Sequence, residues 1–347
     1  MKNILLSMTA ADLGQVALDM GEKEFRGRQI AHWIYRAGVK EIEQMANLPA
    51  LFRKKLASRY TVGRASILNL SQSKDRTFKL LLQLDDGESV ESVGMLYSDR
   101  FSCCVSTQAG CPVGCVFCAT GAEGYQRNLA AGEIVGQVLA VQEAGQKEGL
   151  AEVNGRVSHV VFMGMGEPLL NYEATLKAVH LINSEMGIGM RNITISTIGY
   201  VPGIFRLAEE RLQLTLAVSL HAADEALRRK LVPGMTRYSL KDIIQACRDY
   251  IKTTGRRVTF EYCLLNRVND SREDAERLAA LLKGLNCHVN LIPYNPFPGN
   301  AYKKPEKATI DEFRRRLEEM GINVTQRAQK GAGIRAACGQ LRGQHNL

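Results

Sequence analysis

No apolar run in the chain approaches the roughly 20 residues a helix needs to cross a bilayer, which excludes a helical membrane span. Met1–Ala11 is mildly apolar, but Asp12 cuts it short and no cleavage site follows. No signal peptide is therefore expected, and the expected compartment is the cytoplasm. Internal repeats and low-complexity tracts are missing. With 347 residues and a 45% hydrophobic fraction, disorder, collagen and coiled coil are excluded as descriptions of the whole chain. Cysteines number nine, an odd count and too few for a disulfide scaffold of this length. Acidic residues are outnumbered, 36 Asp+Glu against 45 Lys+Arg, leaving a net charge of +9. That surplus suits a polyanion such as RNA, and equally suits a solvated basic surface. It is gathered at Arg228-Arg229-Lys230, Arg256-Arg257, Lys303-Lys304 and Arg314-Arg315-Arg316.

What is present is ordered along the chain. Residues 1–60 carry helical spacing, through Phe25–Tyr35 and through Leu48–Leu56 with Pro49 in its first turn. This front part is expected to be a small helical accessory domain that binds RNA, with Arg26, Arg28 and Arg36 as candidate contacts. Residues 61–98 change period. Thr77–Leu84, the turn Asp85-Asp86-Gly87 and Glu88–Val93 predict a β-hairpin extension. Residues 99–347 alternate strand and helix, with strands expected at Phe101–Ser106, Ser158–Met163, Asn192–Ser196, Gln213–Ser219, Arg257–Leu264, His288–Ile292 and Ile322–Arg327. The pattern predicts an α/β fold whose parallel sheet curves into a full or partial (β/α) barrel. Chemistry in such folds gathers at the carboxyl ends of the strands.

Five cysteines crowd one stretch: Cys103, Cys104, Cys111, Cys115 and Cys118. The run Cys111-Pro-Val-Gly-Cys115-Val-Phe-Cys118 places three thiolates where they can wrap one face of a metal centre. Structural zinc takes four ligands, and no second CxxC or His pair is present. A 4Fe–4S cluster takes one cysteine per iron, so three cysteines leave one iron open to an outside ligand. The spacing favours iron–sulfur over zinc and over unligated core cysteines. Cys247, Cys263 and Cys287 lie in regular elements and are expected in the core, as is Cys103.

A CxxxCxxC motif after the first strand of a βα barrel resembles the radical S-adenosylmethionine (SAM) superfamily. Further motifs narrow the likeness: Cys104–Cys111, Met163–Asn171, Ser219-Leu-His221, Asn290–Gly299 and Ala336–Leu341 resemble the RlmN/Cfr family, over residues 20 to 343. That family methylates adenosine carbons in RNA. The resemblance implies a partial radical-SAM barrel with a 4Fe–4S cluster on Cys111, Cys115 and Cys118. It implies SAM contacts from Gly166, Glu167, Ser196, Ser219, Leu220, His221 and Asn295, with Glu167 receiving the SAM amino group.

The resemblance also implies roles for two more cysteines. Cys338 would take a methyl from one SAM, and a 5′-deoxyadenosyl radical from a second would remove a hydrogen from it. The methylene radical would add to the adenine ring, Glu91 would accept the ring proton, and Cys104 would break the protein–RNA adduct, leaving a disulfide. Implied partners are 23S rRNA, tRNA and an external flavodoxin- or ferredoxin-like one-electron donor. The Glu167-Pro168 and Asn295–Gly299 motifs point to carbon 2, while Ser196–Gly199 and Glu91–Met95 lean to carbon 8; carbon 2 is the expectation, because its motifs are longer and less tolerant, with carbon 8 the alternative. Gly331–Arg335 departs from the family, which commonly has aspartates there. A reading of another class is a non-catalytic RNA-binding protein stabilised by its metal loop.

Overall fold

The computed structural model describes residues 2–149 and 155–343. Ten strands form one sheet: β1 Ser66–Gln72, β2 Thr77–Gln83, β3 Ser89–Leu96, β4 Phe101–Cys104, β5 His159–Phe162, β6 Ile193–Thr197, β7 Thr215–Ser219, β8 Val258–Leu264, β9 Cys287–Pro293 and β10 Val324–Gln326. Their order in space is their order in the chain. β1 to β4 run antiparallel in succession, and β4 to β10 are parallel. The seven strands expected from the alternation correspond to β4–β10. The expected hairpin is β2–β3, turned at Asp85-Asp86-Gly87 with Gly87 at φ 91° and the Glu88 amide donating to Asp86 Oδ1 at 3.1 Å. A third strand, β1, extends it, and the meander continues directly into the parallel sheet.

The parallel part curls. Arg327, just past β10, donates Nη1 to the sulfur of Met163, just past β5, at 3.3 Å. Residues at the ends of β5 through β10 therefore share one cavity. β1 and β10 remain the two sheet edges, so the barrel is partial. Helices between the parallel strands cover the outside, and their sequences start and stop them. The helix Leu240–Thr254 begins at Ser239, whose hydroxyl accepts the Asp242 amide, and ends at Gly255 in the left-handed region. Such a cap is worth about 1 kcal/mol. Its stripe Leu240, Ile243, Ile244, Cys247 and Tyr250 is buried.

The front segment holds α1 Ala10–Asp19, α2 Arg26–Ala31 and α3 Ala50–Arg59. α1 and α2 cross closely: a Cβ on Gly27 would lie 2.2 Å from the Gly14 nitrogen, so no larger residue fits. The helix expected through Phe25–Tyr35 is α2, which widens into a π turn over His32–Ala37. There the Tyr35 hydroxyl donates to the carbonyls of Leu6 and Met8. A short parallel pair, Asn3–Ile4 with Tyr60–Thr61, closes the segment on itself. Arg64 and Lys40 both pair with Glu143 on the helix Ala131–Lys147, and the front residues share the hydrophobic core of the barrel.

Candidate active site

The cysteine loop leaves β4 through the short strand Gln108–Gly110, which pairs with Tyr125–Asn128. Gly110 at φ 74° makes the turn. The loop is clamped on several sides. The Val116 amide donates to Leu231 O, the Gly234 amide to Val113 O, the Asn300 side chain to Val116 O, and the Ala119 amide to Gly339 O. Val113 and Phe117 bury in a second apolar cluster with Ile198, Leu231, Met235 and Tyr294. The result is that Cys111, Cys115 and Cys118 all face one cavity of about 160 Å³.

The donor set fits a polynuclear cluster. Among the described residues, no three His, Cys, Asp or Glu side chains converge on a single-ion position. Three sulfurs lining one cavity suit a group that offers each cysteine its own iron. Burial pushes the Cys111 thiol up to about 12, and Cys115 and Cys118 also upward. Backbone N–H groups nevertheless aim at these sulfurs: Val113 and Gly166 at Cys111, Thr120 and Gly121 at Cys118. They are placed to stabilise thiolates once iron displaces the protons.

The same cavity is lined by Gly166, Glu167, Ser196, Ser219 and His221. Gly166 sits at φ 99°, and a Cβ there would lie 2.6 Å from Gln108 Cβ. Gln108 in turn accepts the Glu167 amide at 2.8 Å. The buried Glu167 carboxylate accepts the amides of Leu169 at 3.0 Å and Ile198 at 2.7 Å. Lone pairs remain for an incoming ammonium. Burial raises Glu167 to about 7 against those hydrogen bonds. His221 has φ 61°, and its Nδ1 accepts the Cys263 amide at 3.0 Å. Burial lowers it to about 3, so the ring is neutral with its proton on Nε2.

Two expected contacts lie elsewhere. Leu220 is fully buried and does not line this cavity; its carbonyl accepts Arg228 Nη1 at 2.5 Å. Asn295 lines a second, smaller cavity of about 40 Å³. It donates to the Cys338 carbonyl at 3.1 Å and accepts from Gln329 at 2.8 Å.

Cys338 lines both cavities, and Cys104 lines the second. All nine cysteines are free thiols. Burial is the main cause that raises Cys104 to about 12. Glu91 lies in β3 beneath the carboxy-terminal segment and lines neither cavity. Its carboxylate pairs with Lys79 at 2.6 Å and accepts the Arg342 amide at 2.7 Å. That segment is strapped across the mouth by Gly339 O to the Ala119 amide, Leu341 O to the Thr120 hydroxyl, and Gln340 Nε2 to Pro296 O. The Gly331–Arg335 stretch is held from the β1–β2 turn. Asp75 Oδ2 accepts the Gly331 amide at 2.9 Å, and Lys330 donates to the carbonyls of Asp75 and Leu96.

Three site residues were not singled out from the sequence. Arg327 and Glu261 line the first cavity. Glu261 carried a signal, a lone acid inside the apolar run Val258–Leu264. Arg228 belonged to a run counted with the basic surface. It is instead buried, and donates to the carbonyls of Ile198, Ser219 and Leu220. It thereby fixes two strand ends of the cavity. Of the front arginines, Arg28 is exposed, Arg26 pairs with Glu22 at 3.5 Å, and Arg36 is half-buried.

Comparison with known proteins follows the same lines. Residues 105–279 match the radical SAM superfamily, and residues 3–62 match the ribosomal RNA large subunit methyltransferase N-terminal domain. The chain is 48% identical to a probable dual-specificity RNA methyltransferase RlmN of Synechococcus sp. (strain CC9902), across 99% of this chain and 98% of that relative. It is 47% identical to a protein of the same description from Thermosynechococcus vestitus, across 98% of each. The crystal structure of a radical SAM methyltransferase from Sphaerobacter thermophilus matches with a TM-score of 0.94 and 46% identity, covering 99% of this chain and all of that one. No helix among the described residues is long and apolar enough to cross a membrane.

Proposed function

This chain belongs to the RlmN family of radical SAM RNA methyltransferases, and from that footing we propose that it methylates carbon 2 of an adenosine in 23S rRNA and in tRNA. The reading rests on Cys338, which lines two cavities at once. One holds the three loop cysteines and the SAM-side residues; the other holds Cys104. A 4Fe–4S cluster held by Cys111, Cys115 and Cys118 would supply the electron that splits SAM, delivered by a flavodoxin- or ferredoxin-like donor.

The chain's own residues do the rest. Glu167 holds the SAM ammonium, and Gly166 lets the backbone come close. Ser196, Ser219 and the Nε2–H of His221 hydrogen-bond the remaining polar groups. Leu220 acts by tying the strand end, its amide on the Glu261 carbonyl and its carbonyl on Arg228, and Asn295 acts by holding the Cys338 loop. Cys338 carries the methyl as a thioether, so one SAM is consumed in loading and a second in activation. Glu91 takes the ring proton after the strap over it lifts, and Cys104 frees the product. The target base must leave its stack to reach the lumen, because its ring carbon is shielded inside a helix. The exposed Lys304, which reaches Gln329 of the second cavity, and Arg335, next to Ala336 of its lining, supply phosphate contacts. Such substrates place the enzyme in the cytoplasm.

Anaerobic protein reconstituted with iron and sulfide, then given SAM, reductant and unmodified rRNA and tRNA fragments, tests the proposal. Mass spectrometry of the digested RNA should find 2-methyladenosine. Only 8-methyladenosine would assign the carbon-8 reaction instead. A colourless protein that consumes no SAM would favour a metal-stabilised binding protein.

A further inference from the structure

Arg327 is a half-buried cation that makes no ion pair at contact distance among the described residues. It follows β10 and lines both cavities, and also a third of about 330 Å³ at the opposite end of the lumen, beside Ser102, His159 and Thr194. Among the described residues its guanidinium makes one hydrogen bond, to the Met163 sulfur at 3.3 Å, while its backbone amide donates to Leu291 O. Glu261, the acid that faces it, is bound to Asn290 at 2.8 Å. A cation in such a place is stabilised by every anion that forms beside it. The groups there that can be anions are the Glu261 carboxyl and, within the reacting site, the sulfurs of Cys338 and Cys104.

We infer that Arg327 is a positioning residue that holds the Cys104 sulfur as a thiolate while it attacks the Cys338 sulfur, and so governs release of the protein from its RNA adduct. This rests on the reading above, in which Cys104 resolves an adduct carried by Cys338. Once the ring proton and the ring's unpaired electron have left the adduct, the electron to a one-electron acceptor of the same class as the donor, the step balances within the site. The Cys104 thiolate forms an S–S bond to Cys338, and the bond between the Cys338 sulfur and the methylene carbon breaks. The electron pair of that bond passes to the methylene carbon, which takes a proton and becomes the methyl group. The two sulfurs are oxidised by two electrons, and the carbon is reduced by two.

The surroundings of Cys104 give Arg327 this task at one stage only. The groups facing Cys104 across the second cavity are Cys338, Arg327, Tyr97 and Lys330. Lys330 is committed to two backbone carbonyls and the Tyr97 ring. Cys103, its neighbour in β4, turns to the other face of the strand. Burial and then the neighbouring Cys338 oppose ionisation of Cys104, and Arg327 favours it. Once Cys338 is a thioether it cannot ionise, so that opposition is gone while the attraction of Arg327 stays.

The test compares R327Q, R327K and C104A in the reconstituted holoenzyme with labelled RNA. R327Q should load methyl on Cys338 and form the adduct, yet release it at least tenfold more slowly, with the release profile displaced to higher pH. R327K, which keeps the charge, should recover most of the rate. Release by R327Q with wild-type rate and profile overturns the inference, as does loss of Cys338 loading alone. Should R327Q not fold, R327K decides: release near wild type supports the inference, and release as slow as C104A overturns it. If C104A itself traps no adduct, it is the underlying reading that fails, and the C104A lane shows this without the arginine variants.

Discussion

The Asn295 amide donates to the carbonyl of Cys338 at 3.1 Å while its oxygen accepts from Gln329 at 2.8 Å. One side chain at the end of β9 thus ties together both limbs of the loop that carries the thiol. Asn295→Ala should leave the fold intact and slow methylation of Cys338 by about tenfold to a hundredfold, since misplacement by an ångström costs that much. Asn295→Asp, which cannot donate, should do the same. Mass spectrometry of the tryptic peptide holding Cys338 reads the result.

Replacing the two thiols should give opposite phenotypes. Cys338→Ala removes the methyl acceptor, and no methylated RNA should form. Cys104→Ala leaves loading possible and resolution impossible, so protein should run with labelled RNA on a denaturing gel. Normal turnover of Cys104→Ala would contradict the assignment.

SAM binding should depend on pH through Glu167, which burial raises to about 7. Only its charged form attracts an ammonium. As pH falls through that value the carboxylate is neutralised, so affinity should be higher near pH 8 than near pH 6. Glu167→Gln should flatten this dependence and weaken binding about tenfold or more at the upper pH, the worth of a charge-assisted hydrogen bond. Equilibrium dialysis across that range checks both.

Gly166→Ala should destabilise the protein by about 1–3 kcal/mol, because φ 99° is unfavourable for alanine and its Cβ would meet Gln108. Moving Gln108 also releases the Glu167 amide that it holds. SAM affinity should therefore fall together with the urea midpoint.

The cysteine loop was legible in the sequence because its information is local. Three sulfurs within eight residues need only a turn to face the same way. Most of the strands β4–β10 were legible for a similar reason, since short apolar or β-branched segments alternate with helical patterns. Arg327 was not, because its place depends on how far the sheet curls, which no single segment encodes. Arg228 was misread because a basic triplet on a helix has the same composition whether one member is buried or none. Asp75 was passed over because its partner, the Gly331 amide, lies at the far end of the chain. Such contacts are written in the closure of the barrel and not in spacing.

The location of Cys338 has one more consequence. A sulfur lodged in a partition between two chambers can be presented to either by rotation about its own side-chain bond. In the proposed reaction the two duties of that sulfur, taking a methyl and meeting its resolving partner, would then fall on opposite sides of one wall.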